Sequence, residues 1–264
     1  MPDQASGSGK PIPLPGGFVL YTFDTLGSTM DKAFDLAREG ASHGTLVLTK
    51  KQTAGRGRRG TAWESLEGNI ALSVVLRRFP EAFQPGHLSF MTCIAMGHAL
   101  LAFLPQQDAL SYKWPNDVLL DGKKVAGCLL EADLAASDPF IIAGVGVNLA
   151  ASPKGQSFPV ISLKEEGVGV LPEAFLSLFC TELRALHLDY YAQGFSFIQK
   201  AWNQRAWKMG HSMCAVQEGQ EPLQGRVKGI DTQGRLILYD AAKGDQFVSA
   251  GQLQENKIAF TAKT

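Results

Sequence analysis

The chain is predicted to be an α/β (α+β) protein with a small β domain at its C-terminal end. Three observations carry this. Helix-periodic and strand-periodic stretches alternate up to about residue 208. After Gly210 the texture changes to short apolar runs broken by Gly219, Gly234 and Gly244, the spacing of a small barrel or sandwich. A chain of 264 residues with 45% hydrophobic content is also long enough to bury a sizeable core. The boundaries that follow are a flexible tail over residues 1–15, an α/β domain over 16–208 and a β domain over 209–264.

The tail, Met1 to Pro15, is rich in Gly, Ser and Pro and lacks the basic-then-apolar order of a signal peptide. Phe18 to Phe23 is apolar and aromatic, a first strand. Met30, Ala33, Phe34 and Ala37 then fall on one helical face, with Ser28 and Asp31 in the form of a capping box and Gly40 as the stop. Thr45 to Thr49 is a strand, and Lys50 to Gly68, polar and glycine-rich, is a loop. Ile70 to Leu76 is a buried strand, and Pro85 to Leu104 a long apolar helix between two prolines. Asp121-Gly122 suits a type I′ turn, so Val118–Leu120 and Val125–Leu130 form a hairpin. Phe140 to Val147 is another strand, and Pro172–Tyr191 and Phe195–Lys208 are helices. Met213–Val216, Gly225–Ile230, Leu236–Tyr239 and Gln246–Val248 are the strands of the β domain.

Lys plus Arg and Asp plus Glu both number 25, so the formal net charge is zero. That argues against a broad nucleic-acid surface and a polybasic membrane patch. No apolar run approaches the ~18 residues of a membrane span. Cys93, Cys128, Cys180 and Cys214 show no metal-ligand spacing and read as reduced thiols of a cytoplasmic protein. The five histidines show no pairing with a nucleophile or metal set and are assigned to packing or surface roles.

The charge is uneven locally. Lys50, Lys51, Arg56, Arg58 and Arg59 put five cations within ten residues, with no acid among them. A solvated surface loop is the ordinary reading of such a run. The interleaved glycines at 55, 57 and 60 favour an anion site instead, because they let backbone N–H groups approach a ligand. The segment formally matches G-x-G-x-x-G, but Thr61-Ala62-Trp63 and more loop follow it where a dinucleotide fold needs a helix. The glycines also predict a loop that is open when empty and orders over its ligand. Trp63 is either a core indole or a plate for a purine.

A second constellation follows. Lys113-Trp114-Pro115-Asn116-Asp117 ends a strand at a stiff corner, where Asn116 and Asp117 suit a turn as well as a site. Lys124 alternates with apolar neighbours on the returning hairpin arm, a costly place for a cation unless it meets an anion. Gly144-Val145-Gly146-Val147-Asn148 ends the next strand with small residues that allow close ligand approach.

Together these blocks resemble the biotin protein ligases. The matching residues are Gly27-Ser28-Thr29, Gln52 through Gly60 with Trp63, Gly68-Asn69, Lys113 through Asp117, Lys124-Val125-Ala126-Gly127 and Gly144 through Asn148, in the family's order, over roughly residues 18 to 250. The resemblance implies a mixed/antiparallel-sheet catalytic domain of the biotin/lipoate ligase type and a C-terminal SH3-like β-barrel. It implies two half-reactions: biotin and ATP give biotinyl-5′-AMP, then a lysine of a biotin carboxyl carrier domain takes the biotinyl group. Mg²⁺ is the implied companion of ATP, with no residue assigned as its direct ligand.

The implied roles run as follows. Ser28, Thr29 and Gln52 hydrogen-bond the ureido ring of biotin, Gly55 and Arg56 offer it backbone contacts, and Gly127 lets the bicycle pack closely. Arg58 bridges carboxyl and phosphate, with Arg59 also on the nucleotide. Lys124 binds the carboxylate and α-phosphate oxygens, and Trp63 covers adenine or the biotin tail. Asn116 and Asn148 contact the nucleotide, and Asp117 positions Mg²⁺ or the incoming amine. Two departures are Thr61, where the family often has a further basic residue, and Leu66, where it often has proline. Regulatory family members carry an N-terminal DNA-binding domain; about 17 residues precede the first strand here, so no repressor role and no DNA partner are expected. A lipoate or octanoate ligase and a non-catalytic biotin or nucleotide sensor are the alternatives. Monomer and homodimer are both open at this level.

Overall fold

The computed structural model describes residues 10–80 and 83–255. Residues 1–9 of the tail and residues 256–264 of the β domain lie outside the described residues. The first part of the chain folds as β1 (Ile12–Leu14), β2 (Phe18–Leu26), α1 (Thr29–Arg38), β3 (Thr45–Gln52), β4 (Ile70–Arg77) and α2 (His87–Leu101). It continues with β5 (Leu110–Lys113), β6 (Asp117–Leu120), β7 (Lys123–Asp133), β8 (Phe140–Val147), α3 (Pro172–Gln193) and α4 (Phe195–Gln204). These strands form one sheet in the order β1-β2-β3-β4-β8-β7-β6-β5. Within it β2 and β3 run parallel, joined through α1, and the remaining pairs are antiparallel.

The sheet lies between two helical layers. On one face Met30, Ala33 and Ala37 of α1 pack on Val47, Val75, Phe140 and Ile142. On the other, α2 packs on β5 to β8 and is itself backed by α3 and α4. A helix covered on both sides has no polar face, which is why His87–Leu101 is apolar around its circumference. The same logic explains β4 and β8: both are buried at every position, so they read as continuous apolar runs, not alternating ones. Each fully buried Leu, Ile or Phe in these strands contributes roughly 1.5–3 kcal/mol.

Several local expectations are met and some are corrected. Asp121 and Gly122 take positive φ of 48° and 73°, the hairpin turn the sequence calls for. Ser28 caps α1, but its Oγ accepts from the Met30 N–H at 3.2 Å and the capping-box partner Asp31 is bound elsewhere. Residues 12–14, read as part of a flexible tail, pair with β2 as an edge strand. β3 runs on to Gln52, three residues into the expected loop, because Thr25 and Leu26 of β2 continue to pair with it. The helix expected over Phe195–Lys208 stops at Gln204. Beyond it the chain runs extended along β5, with Tyr112 N–H donating to Arg205 O and Trp207 N–H to Tyr112 O, both at 2.8 Å. That course covers the outer edge of the sheet, which would otherwise be left unpaired.

The β domain comprises β9 (Ser212–Val216), β10 (Leu223–Ile230), β11 (Leu236–Asp240), β12 (Gly244–Val248) and β13 (Gln252–Glu255). They form a second, antiparallel sheet in the order β12-β11-β10-β9-β13. It shares an apolar core with the first part of the chain, and polar contacts add to the docking. Asn203 exchanges two hydrogen bonds with the Ile230 backbone, at 2.8 and 3.1 Å, and Trp114 Nε1 donates to Gly234 O at 3.1 Å.

The histidines pack, as expected. His87 is buried, stacked on Phe195 at 3.6 Å, and bonded through Nδ1 to the Tyr190 hydroxyl at 2.8 Å. Burial pushes the pKa of both His87 and His187 down to about 4; for His187 the charges of His43 and Arg184 add to the effect. The unfolded chain takes up protons on these two rings below about pH 6.5, whereas the folded chain takes them up only near pH 4. Stability is therefore full above about pH 6.5 and falls as pH drops towards 4, by at most ~1.4 kcal/mol per pH unit per histidine. Urea unfolding across that range should show the decline, and replacing His87 by Phe should make it shallower.

Candidate active site

One rung of cross-strand partners builds the floor of a cavity of about 730 Å³. Lys113 pairs with Asp117, Asp117 with Gly127, and Gly127 with Gly146, so β5, β6, β7 and β8 each contribute one residue to the same face. Lys124 joins them through an irregularity. Val118 pairs with Ala126, yet Leu119 pairs with Lys124, which leaves Val125 as an extra residue on β7. This β-bulge reverses the alternation of side chains and turns Lys124 onto the face of Asp117 and Gly127. Its backbone is held from the other side, with Lys124 N–H donating to Pro159 O at 2.8 Å and Ile161 N–H to Lys124 O at 3.0 Å.

Lys124 Nζ stands 2.6 Å from Asp117 Oδ1, an ion pair in which no donor is well aligned on that oxygen. The two side chains are 25% and 17% exposed. Gly127 is what leaves room for the pair. A Cβ there would lie 2.9 Å from Lys124 Cε and 3.0 Å from Asp117 Oδ1. The resemblance gives Gly127 to close packing of biotin; in the structure its space is taken by this ion pair.

The start of α1 and the end of β3 form another wall. Ser73 Oγ donates to Thr29 Oγ1 at 2.8 Å, and Thr29 donates to Gln52 Oε1 from both its N–H (2.9 Å) and its hydroxyl (3.1 Å). Gln52 Nε2 donates to Ser65 Oγ at 3.3 Å. Ser28, Thr29 and Gln52 all line the cavity. The chain of bonds fixes their orientation before any ligand arrives.

The basic segment folds as a tongue over this wall. Gly57 N–H donates to Thr61 O at 2.7 Å, Trp63 N–H to Gly55 O at 2.9 Å, and Arg56 and Ala62 form a bridge. These bonds give the segment a hairpin-like course. Arg56 latches it down through Asp31, at 2.7 and 2.9 Å, and Glu131 at 3.5 Å. The bonds from Asp31 hold the Arg56 guanidinium above its ordinary pKa, and that carboxylate is the one missing from the capping box. Arg58 turns inward, donating to Asn116 Oδ1 at 3.2 Å and Gly251 O at 3.4 Å. Burial, then the charge of Arg59, pushes its pKa down from a value so high that it stays charged. Arg59, at φ 54°, and Gly55 do not line the cavity.

Trp63 lies on the strand floor at Gly146, where a Cβ would come within 2.2 Å of the ring. Its indole N–H is buried with no partner among the described residues. Lys124 Nζ is 5.8 Å from the ring centroid. Asn116 and Asn148 line the cavity, but their amides already serve the protein: Asn116 Nδ2 donates to Cys128 O and Asn148 Nδ2 to Ile161 O. All four cysteines are free thiols. Sequence reasoning left four contributors without a role. Lys113 faces the cavity, with Nζ 3.8 Å from the Phe158 ring and 5.6 Å from Trp207, and burial pushes its pKa down. Phe158, Trp207 and Gln252 of β13 reach the cavity from distant sequence that no local motif marks.

The site thus joins a polar, pre-oriented wall to a lysine, an arginine and a carboxylate that can manage negative charge. A family model described as the biotin/lipoate A/B protein ligase family matches residues 23–148. The biotin–[acetyl-CoA-carboxylase] ligase of Paracoccus denitrificans is 39% identical over 235 residues, which is 86% of this chain and 96% of that one. The enzyme of the same description from Mycobacterium tuberculosis is 32% identical over 95% of this chain and 92% of that one. Among solved structures, biotin protein ligase from Aquifex aeolicus with biotin and ATP superposes at TM-score 0.75, with 24% identity, over 89% of this chain and 97% of that one, a likeness of fold. The chain belongs to the biotin protein ligase branch of this family.

Replacing Gly127 by Ala should therefore disturb the Lys124–Asp117 pair more than the fold. The expected result is roughly a 10- to 100-fold loss of adenylate formation, since small misplacement of a reacting group is costly. Thermal unfolding should stay within a few degrees of wild type; an unchanged rate would show that the pair does not depend on this glycine.

Proposed function

We propose that the chain joins biotin to a lysine of the biotin carboxyl carrier domain of a carboxylase, consuming ATP and passing through biotinyl-5′-AMP. The observation that carries this is the Lys124–Asp117 pair, at 2.6 Å, set between the Thr29–Gln52 wall and Arg58. In the first half-reaction a carboxylate attacks the α-phosphorus of ATP. Both partners are anionic, so the main obstacle is electrostatic, and fixed cations already in place are the remedy. Lys124 exchanges its carboxylate partner for the reacting oxygens, and Arg58 offers a planar fork to the same centre.

The polar wall accounts for the other end of biotin. A ureido ring presents two N–H donors and one carbonyl acceptor. Gln52 Oε1 lies among donors already, so its remaining capacity and the Ser28 hydroxyl are the groups that face the ring. Trp63 and the tongue cover the intermediate, which protects a mixed anhydride from water. In the second half-reaction the acceptor ammonium meets Asp117, released from Lys124, and loses a proton through it to solvent; the neutral amine then attacks the carbonyl, the acyl–phosphate bond breaks and AMP leaves.

Mg²⁺ belongs to this proposal as the companion of the triphosphate. Among the described residues no three His, Cys, Asp or Glu side chains gather to hold a metal, and Mg²⁺ commonly binds through substrate phosphates with one or two carboxylates. We place the reaction in the cytoplasm, a reducing compartment consistent with four free thiols. Among the described residues no helix is long and apolar enough to cross a membrane.

Biotin-dependent exchange of pyrophosphate into ATP tests the reading, with lipoate and octanoate as competitors. Biotin alone should support exchange, and labelled biotin should transfer to a carrier domain. Lys124→Ala should lower adenylate formation by about 10²–10³-fold, the usual cost of removing one charge-stabilising donor. Exchange driven by lipoate, or a Lys124→Ala rate near wild type, would overturn it.

A further inference from the structure

Lys113 is a half-buried cation that the reaction as described leaves unused. It has no ion pair or side-chain hydrogen bond among the described residues, and the faces of Phe158 and Trp207 hold its ammonium in the cavity. Half-burying a cation with no ion pair of its own is unfavourable, so a cation kept this way is a site for an anion that comes and goes. Lys124 and Arg58 lie close enough to act on it electrostatically, as does the carboxylate of Asp117.

The order of strands says which anion. Across the sheet the sequence is β3, β4, β8, β7, β6, β5. The biotin wall sits at the β3 end with Gln52, Lys124 on β7, and Lys113 on β5, two strands or roughly 10 Å further on. In a phosphoryl-centre displacement the attacking and leaving oxygens lie roughly in line. A carboxylate arriving from the β3 side therefore expels its leaving group towards β5. We infer that Lys113, caged by Phe158 and Trp207, holds the β- and γ-phosphates of ATP and receives the pyrophosphate as it departs. The biotin carboxylate oxygen forms a bond to Pα, the Pα–O bond to the β-phosphate breaks, and pyrophosphate carries away the electron pair onto an oxygen facing Lys113. This rests on the ligase reading above.

The test compares wild type, Lys113→Met and Lys113→Arg in two assays: pyrophosphate–ATP exchange, and single-turnover transfer from purified biotinyl-5′-AMP to a carrier domain. Lys113→Met should raise the pyrophosphate concentration for half-maximal exchange about tenfold or more, the value of one charged hydrogen bond. Lys113→Arg should recover most of that loss, and transfer from the preformed adenylate should change less than about twofold because that step involves no pyrophosphate. An unchanged pyrophosphate dependence would overturn the assignment. So would an equal loss in both assays, which would place Lys113 on the acceptor amine or in the packing. One arm needs no variant: in wild type, pyrophosphate should slow acetylation of Lys113 by acetic anhydride, read by mass spectrometry, and absence of protection would overturn the proposal. Failure of wild type to show biotin-dependent exchange would count against the ligase reading instead, while the protection arm still scores Lys113.

Discussion

A lysine ammonium 2.6 Å from a carboxylate inside a cleft requires three things at once, and the cavity is arranged around supplying them. The lysine must face inward, which the bulge at Val125 achieves. The same strand must leave space three residues further on, which Gly127 does. The carboxylate must come from the next strand at the same level, which the Asp117–Gly127 register ensures. The pair is only partly exposed, so removing either partner leaves the other charge poorly solvated until an anion replaces it. The pair thus stores the two charges that the chemistry needs in mutual neutralisation.

The same economy explains the zero net charge. The cations of the tongue do not act as one patch. Arg56 is committed to Asp31 and Glu131, Lys50 to Asp24 at 2.8 Å, and Arg59 lies off the cavity. What remains for a ligand is Arg58, Lys124 and Lys113, drawn from three separate stretches of sequence. A concentrated basic run in the sequence becomes a latch with one inward arginine, and the positive centre is completed by the sheet.

How much of this could be read from sequence depends on whether the cause is local. Continuous apolar runs at Ile70–Leu76 and Phe140–Val147 announced central strands because burial on both faces removes alternation. Asp121-Gly122 announced its turn because few other residues tolerate two positive φ values. The bulge carries no such mark: Val125 looks like any strand residue, and only its cross-strand register shows that it is extra. Sequence reasoning singled out Lys124 on the cost of burying a cation, yet could not say what turned it inward. The aromatic cage of Lys113 draws on residues 158 and 207, and the covering of β5 on residues 205–207, pairings set by tertiary packing. The tongue's course was also hidden, since its backbone bonds join Gly55 to Trp63 and Gly57 to Thr61 across residues that look flexible one by one.

The chemistry turns on Lys124 leaving Asp117 for the reacting anion. A crystal structure with a non-hydrolysable biotinyl-adenylate analogue measures that directly. Lys124 Nζ should lie within about 3 Å of the oxygens at the acyl–phosphate junction, the ordinary length of a charged hydrogen bond, with the contact to Asp117 lengthened or lost. An analogue bound with Lys124 still paired to Asp117 and out of reach of those oxygens would contradict it.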